Sequence, residues 1–202
     1  MILSHPFAPV GSVTRLPRYA PSDFPATAAV LCRNTAPLMA FAFALFERDV
    51  SCHVVGKDIE VGLQQLVTKL SGNTMFDFRT TLAHYEEAEC AKLTRKGKRE
   101  ASANLSDKCE ALRVISRSCQ STAQLQGKIK ALFESGAGLT LSTIHKAKGL
   151  EWETVFLLDW NLLPSPYAET PAQRQQERNL QYVAVTRAKL NLVFINSNQW
   201  KP

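Results

Sequence analysis

A chain of 202 residues with 45% hydrophobic and 21% charged residues can bury a real core, as one domain with an insertion or as two small ones. Its 24 basic residues against 18 acidic ones give a net charge of +6, a lean towards anionic partners that carries no information about fold. The five cysteines show neither C-x-x-C spacing nor a nearby histidine pair, so reduced thiols are expected and neither a disulfide framework nor a metal site is suggested.

The first 25 residues hold five prolines and predict an extended lead-in with little regular structure. They lack the basic and long apolar regions of a signal peptide. Ala26–Cys32 reads as a strand, about Pro37 to Arg48 as a helix, and Val50–Val55 as a second strand ended by Gly56. The apolar run Ala36–Phe46 is too short to span a bilayer and is closed by Glu47, Arg48 and Asp49, which predicts a buried core helix and no membrane partner.

From about Asp58 to Ser135 the pattern is helical. Phe78, Leu82 and Tyr85 recur at helical spacing, as do Leu112 and Ile115, and then Leu125, Ile129 and Leu132. Ser121 with Gln124 resembles a capping box. The basic run Lys92, Arg95, Lys96, Lys98, Arg99 is read as a solvated helix end interrupted at Gly97, in preference to a dedicated nucleic-acid patch. Strands return at Leu139–Ser142, Thr154–Asp159 and Leu190–Asn196, with a helix-like segment before the last. Continuous apolar strands alternating with helices predict an α/β parallel sheet flanked by helices, with an all-α insertion at 58–135 between parts at 26–57 and 136–202.

In such sheets ligands collect at the carboxyl ends of strands. Three polar clusters are expected there: Arg33-Asn34-Thr35, the segment after Leu141, and Thr186-Arg187. Converging on one edge, they would form an anion site.

The stretch "TIHKAKGLEW" (Thr143–Trp152) closely resembles motif V of superfamily 1 DNA helicases of the UvrD/Rep type. "ERNLQYVAVTRAK" (Glu177–Lys189) is similar to their motif VI, and "AVLCRN" (Ala29–Asn34) to motif IV. The resemblance covers roughly residues 26–56 and 137–197. It implies a RecA-like (P-loop NTPase type) second motor domain, and the "AKGLE" form implies 3′ to 5′ movement on single-stranded DNA. It also implies ATP with Mg²⁺ as cofactor, held mainly by an N-terminal RecA-like motor domain, and an intracellular, cytoplasmic setting. Arg187, then Arg33, become candidate arginine fingers, since a guanidinium fork matches phosphate oxygens and keeps its charge. Gly149 and Glu151 become nucleotide-side residues, the glycine for a tight turn and the glutamate for the ribose. Thr143 and His145 match positions that contact the DNA backbone.

Plainer readings stand beside these. Glu151 could be an ordinary carboxylate near an N-cap, and His145 could simply cap the turn. The roles of Lys146 and Lys148 are not separable: one could face DNA and the other an ion pair. Tyr182, Val183 and Val185 are expected in the core rather than as a stacking platform. The chain has no G-x-x-x-x-G-K-[ST] and no strand ending in Asp-Glu, since Asp159 is followed by Trp160. It is therefore expected to be the C-terminal motor half, inactive as an ATPase by itself. The alternative is a stand-alone, non-catalytic nucleic-acid-binding or regulatory module derived from one. The helical insertion is much smaller than the family's accessory domain.

Overall fold

A computed structural model describes residues 10–134, 136 and 138–200. Six strands form one all-parallel sheet: β1 (Ser12–Arg15), β2 (Ala29–Cys32), β3 (Cys52–Val55), β4 (Leu139–Thr143), β5 (Trp152–Leu158) and β6 (Ala188–Ile195). Their order is β1-β6-β5-β2-β4-β3. β2 sits centrally and is buried at all four positions, with Val30 and Cys32 facing one core and Ala29 and Leu31 the other. That two-residue alternation, apolar on both sides, is what a parallel strand covered on both faces requires.

The two faces are covered unequally. On one lie α1 (Thr35–Phe46), α2 (Lys57–Leu70), α3 (Met75–Arg95), α4 (Arg99–Ser116) and α5 (Thr122–Glu134), sharing one continuous core with the sheet. Phe41 and Leu45 of α1, Phe78 of α3, Leu112 of α4 and Ile129 of α5 are all buried in it. From Lys57 to Glu134 the chain forms helices α2 to α5, whose apolar stripes close over α1 and the sheet. Ser121 caps α5, accepting from Gln124 N–H at 3.1 Å, and Gln124 Oε1 reaches Gln120 N–H at 2.7 Å.

On the other face lie α6 (Pro171–Val185) and the segment from Ile144 to Glu151. Ile144 and Ala147 pack with Leu180 and Ala184 over Ala29, Leu31, Val155 and Leu157. The segment thus crosses from the end of β4 to the start of β5 as a short strap pressed against the sheet.

The lead-in departs from expectation: β1 pairs with β6, with Ser12 opposite Asn191 and Arg15 opposite Phe194. The run Ser12–Arg15 lies between prolines and contains Val13 and Thr14, so it has the amide donors and β-branched residues an edge strand uses. Residues 1–9 lie outside the described part.

Candidate functional site: two edges joined by a strap and a helix

Strand register decides where each candidate sits. Cys32 is opposite both Thr143 and Leu158, so Arg33, Ile144 and Asp159 lie at one level, the carboxyl edge. Trp152 is opposite Ala188, and its N–H donates to Arg187 C=O at 3.0 Å, so Glu151 and Arg187 lie at the opposite, amino edge. The expectation that all three polar clusters meet at the carboxyl edge is therefore corrected. Arg187 immediately precedes a parallel strand, and a residue in that position must stand at the strand's amino end.

At the carboxyl edge Arg33, Asn34, Thr35, Thr143, His145 and Lys146 come together around a cavity of about 220 Å³. The Arg33 guanidinium grips Glu177 of α6 with two bonds, Nη2 to Oε1 at 2.8 Å and Nε to Oε2 at 3.2 Å. Both side chains are nearly buried, 10% and 8% exposed. Burial pushes the Glu177 carboxyl up, but the Arg33 fork and the Ser165 N–H, 2.8 Å from Oε2, outweigh it and hold the group below the ordinary carboxyl range.

Asp107 of α4 supplies what Asn34 does not. Asn34 is the N-cap of α1 by position, yet its side chain makes no capping bond. Asp107 accepts instead from Thr35 N–H at 2.6 Å and Ala36 N–H at 2.9 Å, placing a carboxylate on the positive end of α1. Desolvation raises its pKa, against the pull of those two amides.

Thr143 is buried at the cavity, while His145 and Lys146 are exposed at its rim. Lys146 Nζ pairs with Asp58 at 2.9 Å, which lowers the Asp58 pKa. Desolvation by its crowded neighbourhood, together with the Arg33 charge, holds the His145 imidazole below its ordinary 6.5, so the ring is a neutral hydrogen-bonding group at pH 7. Of the two lysines left unseparated by sequence, Lys146 makes the ion pair; Lys148 is exposed.

At the amino edge Gly149 takes φ +88° with open space around the position a Cβ would occupy. Its requirement is therefore the left-handed turn and not a close approach. Glu151 beside it is exposed. Arg187 Nη1 donates to Leu150 C=O at 2.9 Å and Nε to Val183 C=O at 3.1 Å, which docks the guanidinium against the end of the strap. Leu150, Tyr182 and Val185 are 42%, 63% and 37% exposed there. The core reading of Tyr182 and Val185 is thus overturned. Glu177, Leu180 and Ala184 set the buried stripe of α6 and turn those two side chains outward, while Val183 packs partly against the core.

Two elements connect the edges. The strap runs from Ile144 to Glu151. α6, 15 residues and about 22 Å long, carries Glu177 near its middle and leads into Arg187 just past its end. Sequence reasoning missed Asp107, Glu177 as a site residue, and Asp58. Each acts on a partner distant in the chain, and no local spacing marks such a pairing.

Nothing among these residues forms a cradle for the phosphates of a nucleotide. No group of three His, Cys, Asp or Glu among the described residues could hold a metal ion. The residues present fit one flank of a nucleotide site: a fixed arginine, a turn with free backbone space, and an exposed carboxylate. No described helix is long and apolar enough to cross a membrane.

An all-parallel six-stranded sheet with helices on both faces is an α/β domain consistent with the RecA-like type. Residues 106–199 match the family described as UvrD-like helicase C-terminal domain. That stretch is just under half of the chain, and over it the chain is similar to the C-terminal domain of superfamily 1 DNA helicases. It is 44% identical over 63 residues to the ATP-dependent DNA helicase UvrD1 of Mycobacterium bovis, covering 29% of this chain and 8% of that protein. To a probable DNA helicase II homolog of Rickettsia conorii it is 37% identical over 71 residues, 33% of this chain and 11% of that protein. To the ATP-dependent DNA helicase UvrD2 of Mycobacterium bovis it is 40% identical over 63 residues, 28% and 9%. The matched stretch thus spans about a tenth of these relatives' length.

Proposed function

We propose that the chain is the C-terminal motor half of an ATP-dependent 3′ to 5′ DNA helicase or translocase. In this reading residues 26–57 and 136–202 form the motor domain proper and 58–135 its reduced helical insertion. The observation that carries it is the strap: Thr143 and His145 open it at the carboxyl-edge cavity, and Gly149, Leu150 and Glu151 close it against Arg187. One continuous segment thereby joins a place suited to a nucleic-acid strand and a place suited to a nucleotide. ATP with Mg²⁺, when bound, supplies the phosphoryl group, and its cradle belongs to an N-terminal RecA-like domain. This chain contributes Arg187 to the phosphates and Glu151 to the ribose. The exposed Leu150, Tyr182 and Val185 beside Arg187 suit an apolar contact with that domain.

Arg33 has a different part. Closed behind Glu177, its guanidinium is positioned to fix the middle of α6, and through the second half of the helix the place of Arg187. That makes it a positioning residue, in place of the second arginine finger expected from sequence.

At the carboxyl edge, neutral His145, Thr143 and Lys146 would take the backbone of single-stranded DNA without reading its sequence. Lys146 would exchange Asp58 for a phosphate. Lys146→Ala is expected to weaken oligothymidylate binding and to reduce the salt-dependence slope by about one. Fluorescence anisotropy across a salt series measures both, and an unchanged slope would remove Lys146 from the DNA path.

A further inference from the structure

The carboxyl-edge cavity does not end at Arg33. A second cavity of about 240 Å³ shares Arg33, Asn34, Glu100, Asn104 and Asp107 with it and extends to Pro166 and Tyr167. A third, of about 750 Å³, shares Ala103, Pro166 and Tyr167 with the second and reaches Thr94 and Arg99, at the tip of the α3–α4 hairpin. The three form one trough, walled along its length by α4. Tyr167, 45% exposed, is its aromatic surface.

The hairpin tip beside the far end of this trough is basic. Lys92, Arg95, Lys96, Lys98 and Arg99 are all exposed around the turn at Gly97, which takes φ +70°. Arg99 Nη1 pairs with Glu169 at 2.5 Å, and Arg174 Nη1 donates to the Glu169 C=O at 2.7 Å. The start of α6, with Arg174 and Arg178 one turn apart on an exposed face, therefore adjoins the hairpin tip. Seven cations lie here among Glu86, Glu87, Glu89, Glu100 and Glu169, and at the turn itself Arg95, Lys96 and Lys98 make no ion pair among the described residues. Near His145, Asp107, the Arg33–Glu177 pair and the Lys146–Asp58 pair leave little free positive charge. Cations free to take phosphates are thus concentrated at the hairpin tip, away from the helicase-like motifs.

We propose that the α3–α4 hairpin tip and Tyr167 form a second contact for single-stranded nucleic acid, continuing the path that passes Thr143 and His145. Arg95, Lys96 and Lys98 take phosphates, and Tyr167 stacks a base, the combination that sequence-tolerant strand binding uses. This extension rests on the strand-binding reading given above for the carboxyl edge. It also changes the reading of residues 92–99 from a solvated helix end to a working surface, because Thr94 and Arg99 line the cavity and Arg99 shares Glu169 with Arg174.

The test is anisotropy of fluorescent oligothymidylate with the full chain. Arg95→Ala/Lys96→Ala/Lys98→Ala is expected to weaken binding about tenfold and to lower the salt slope by about 2. Tyr167→Ala is expected to lose about tenfold, with Tyr167→Phe close to the unaltered chain. If Lys146→Ala weakens binding while the triple variant and Tyr167→Ala do not, the extension is wrong and the carboxyl-edge reading survives. If the unaltered chain does not bind the oligonucleotide, both fall. If the triple variant loses duplex but not single-strand affinity, the single-strand assignment is overturned.

Discussion

Replacing Arg187 by Ala, in a protein that joins this domain to its nucleotide-holding partner, is expected to lower ATP turnover by about 10³-fold or more. The guanidinium is held by Leu150 C=O and Val183 C=O, so it is already oriented before any phosphate arrives. An oriented donor loses little freedom on engaging the charge that develops on transferring oxygens, which is where such a group contributes most. Lysine in its place keeps a charge but cannot make the same fork, and should restore only part of the rate. Steady-state turnover measures the effect, with nucleotide affinity followed separately. A variant whose turnover stays within a few-fold of the parent would remove Arg187 from the nucleotide site.

The second large effect concerns stability. Glu177→Ala leaves the Arg33 charge nearly buried and unpaired, and should cost about 3–5 kcal/mol. Replacing both residues by apolar ones of similar size should recover much of that loss, because no orphan charge then remains. Urea unfolding of the two single variants and the double variant gives the coupling directly. A loss below about 1 kcal/mol in Glu177→Ala would mean that the pair behaves as a surface contact. Acid supplies an independent check. The folded pKa of Glu177 lies below its unfolded value, so its stabilisation is complete above the ordinary carboxyl pKa and is lost as pH falls through the folded one. Glu177→Gln should flatten that acid limb of the stability curve.

Much of the fold follows from local pattern. β2, α1, β3 and the later strands sit within a few residues of where apolar runs and helical spacing place them, because burial on both sides of a parallel sheet leaves a continuous apolar mark. β1 escaped notice, since four exposed residues at a sheet edge carry no such mark and the surrounding prolines dominate the reading. The motif residues of the strap were legible as types, but not their division between two edges, which follows from strand direction. The outward turn of Tyr182 was hidden for a related reason. Apolar content marks a helix as partly buried, whereas its phase is fixed by Leu180, Ala184 and the Arg33-bound Glu177. Asp107 shows where local reading ends: its role as the cap of α1 arises 72 residues from Thr35, through tertiary packing of α4.

The central claim is that this chain is half of a motor, with donors for a nucleotide but no cradle for it. ATP hydrolysis by the 202-residue chain, with and without single-stranded DNA, tests that claim most directly. The account predicts no turnover above background in either condition, and DNA-stimulated turnover once a UvrD-type N-terminal motor domain is joined to it. DNA-stimulated hydrolysis by the pure chain alone would contradict it.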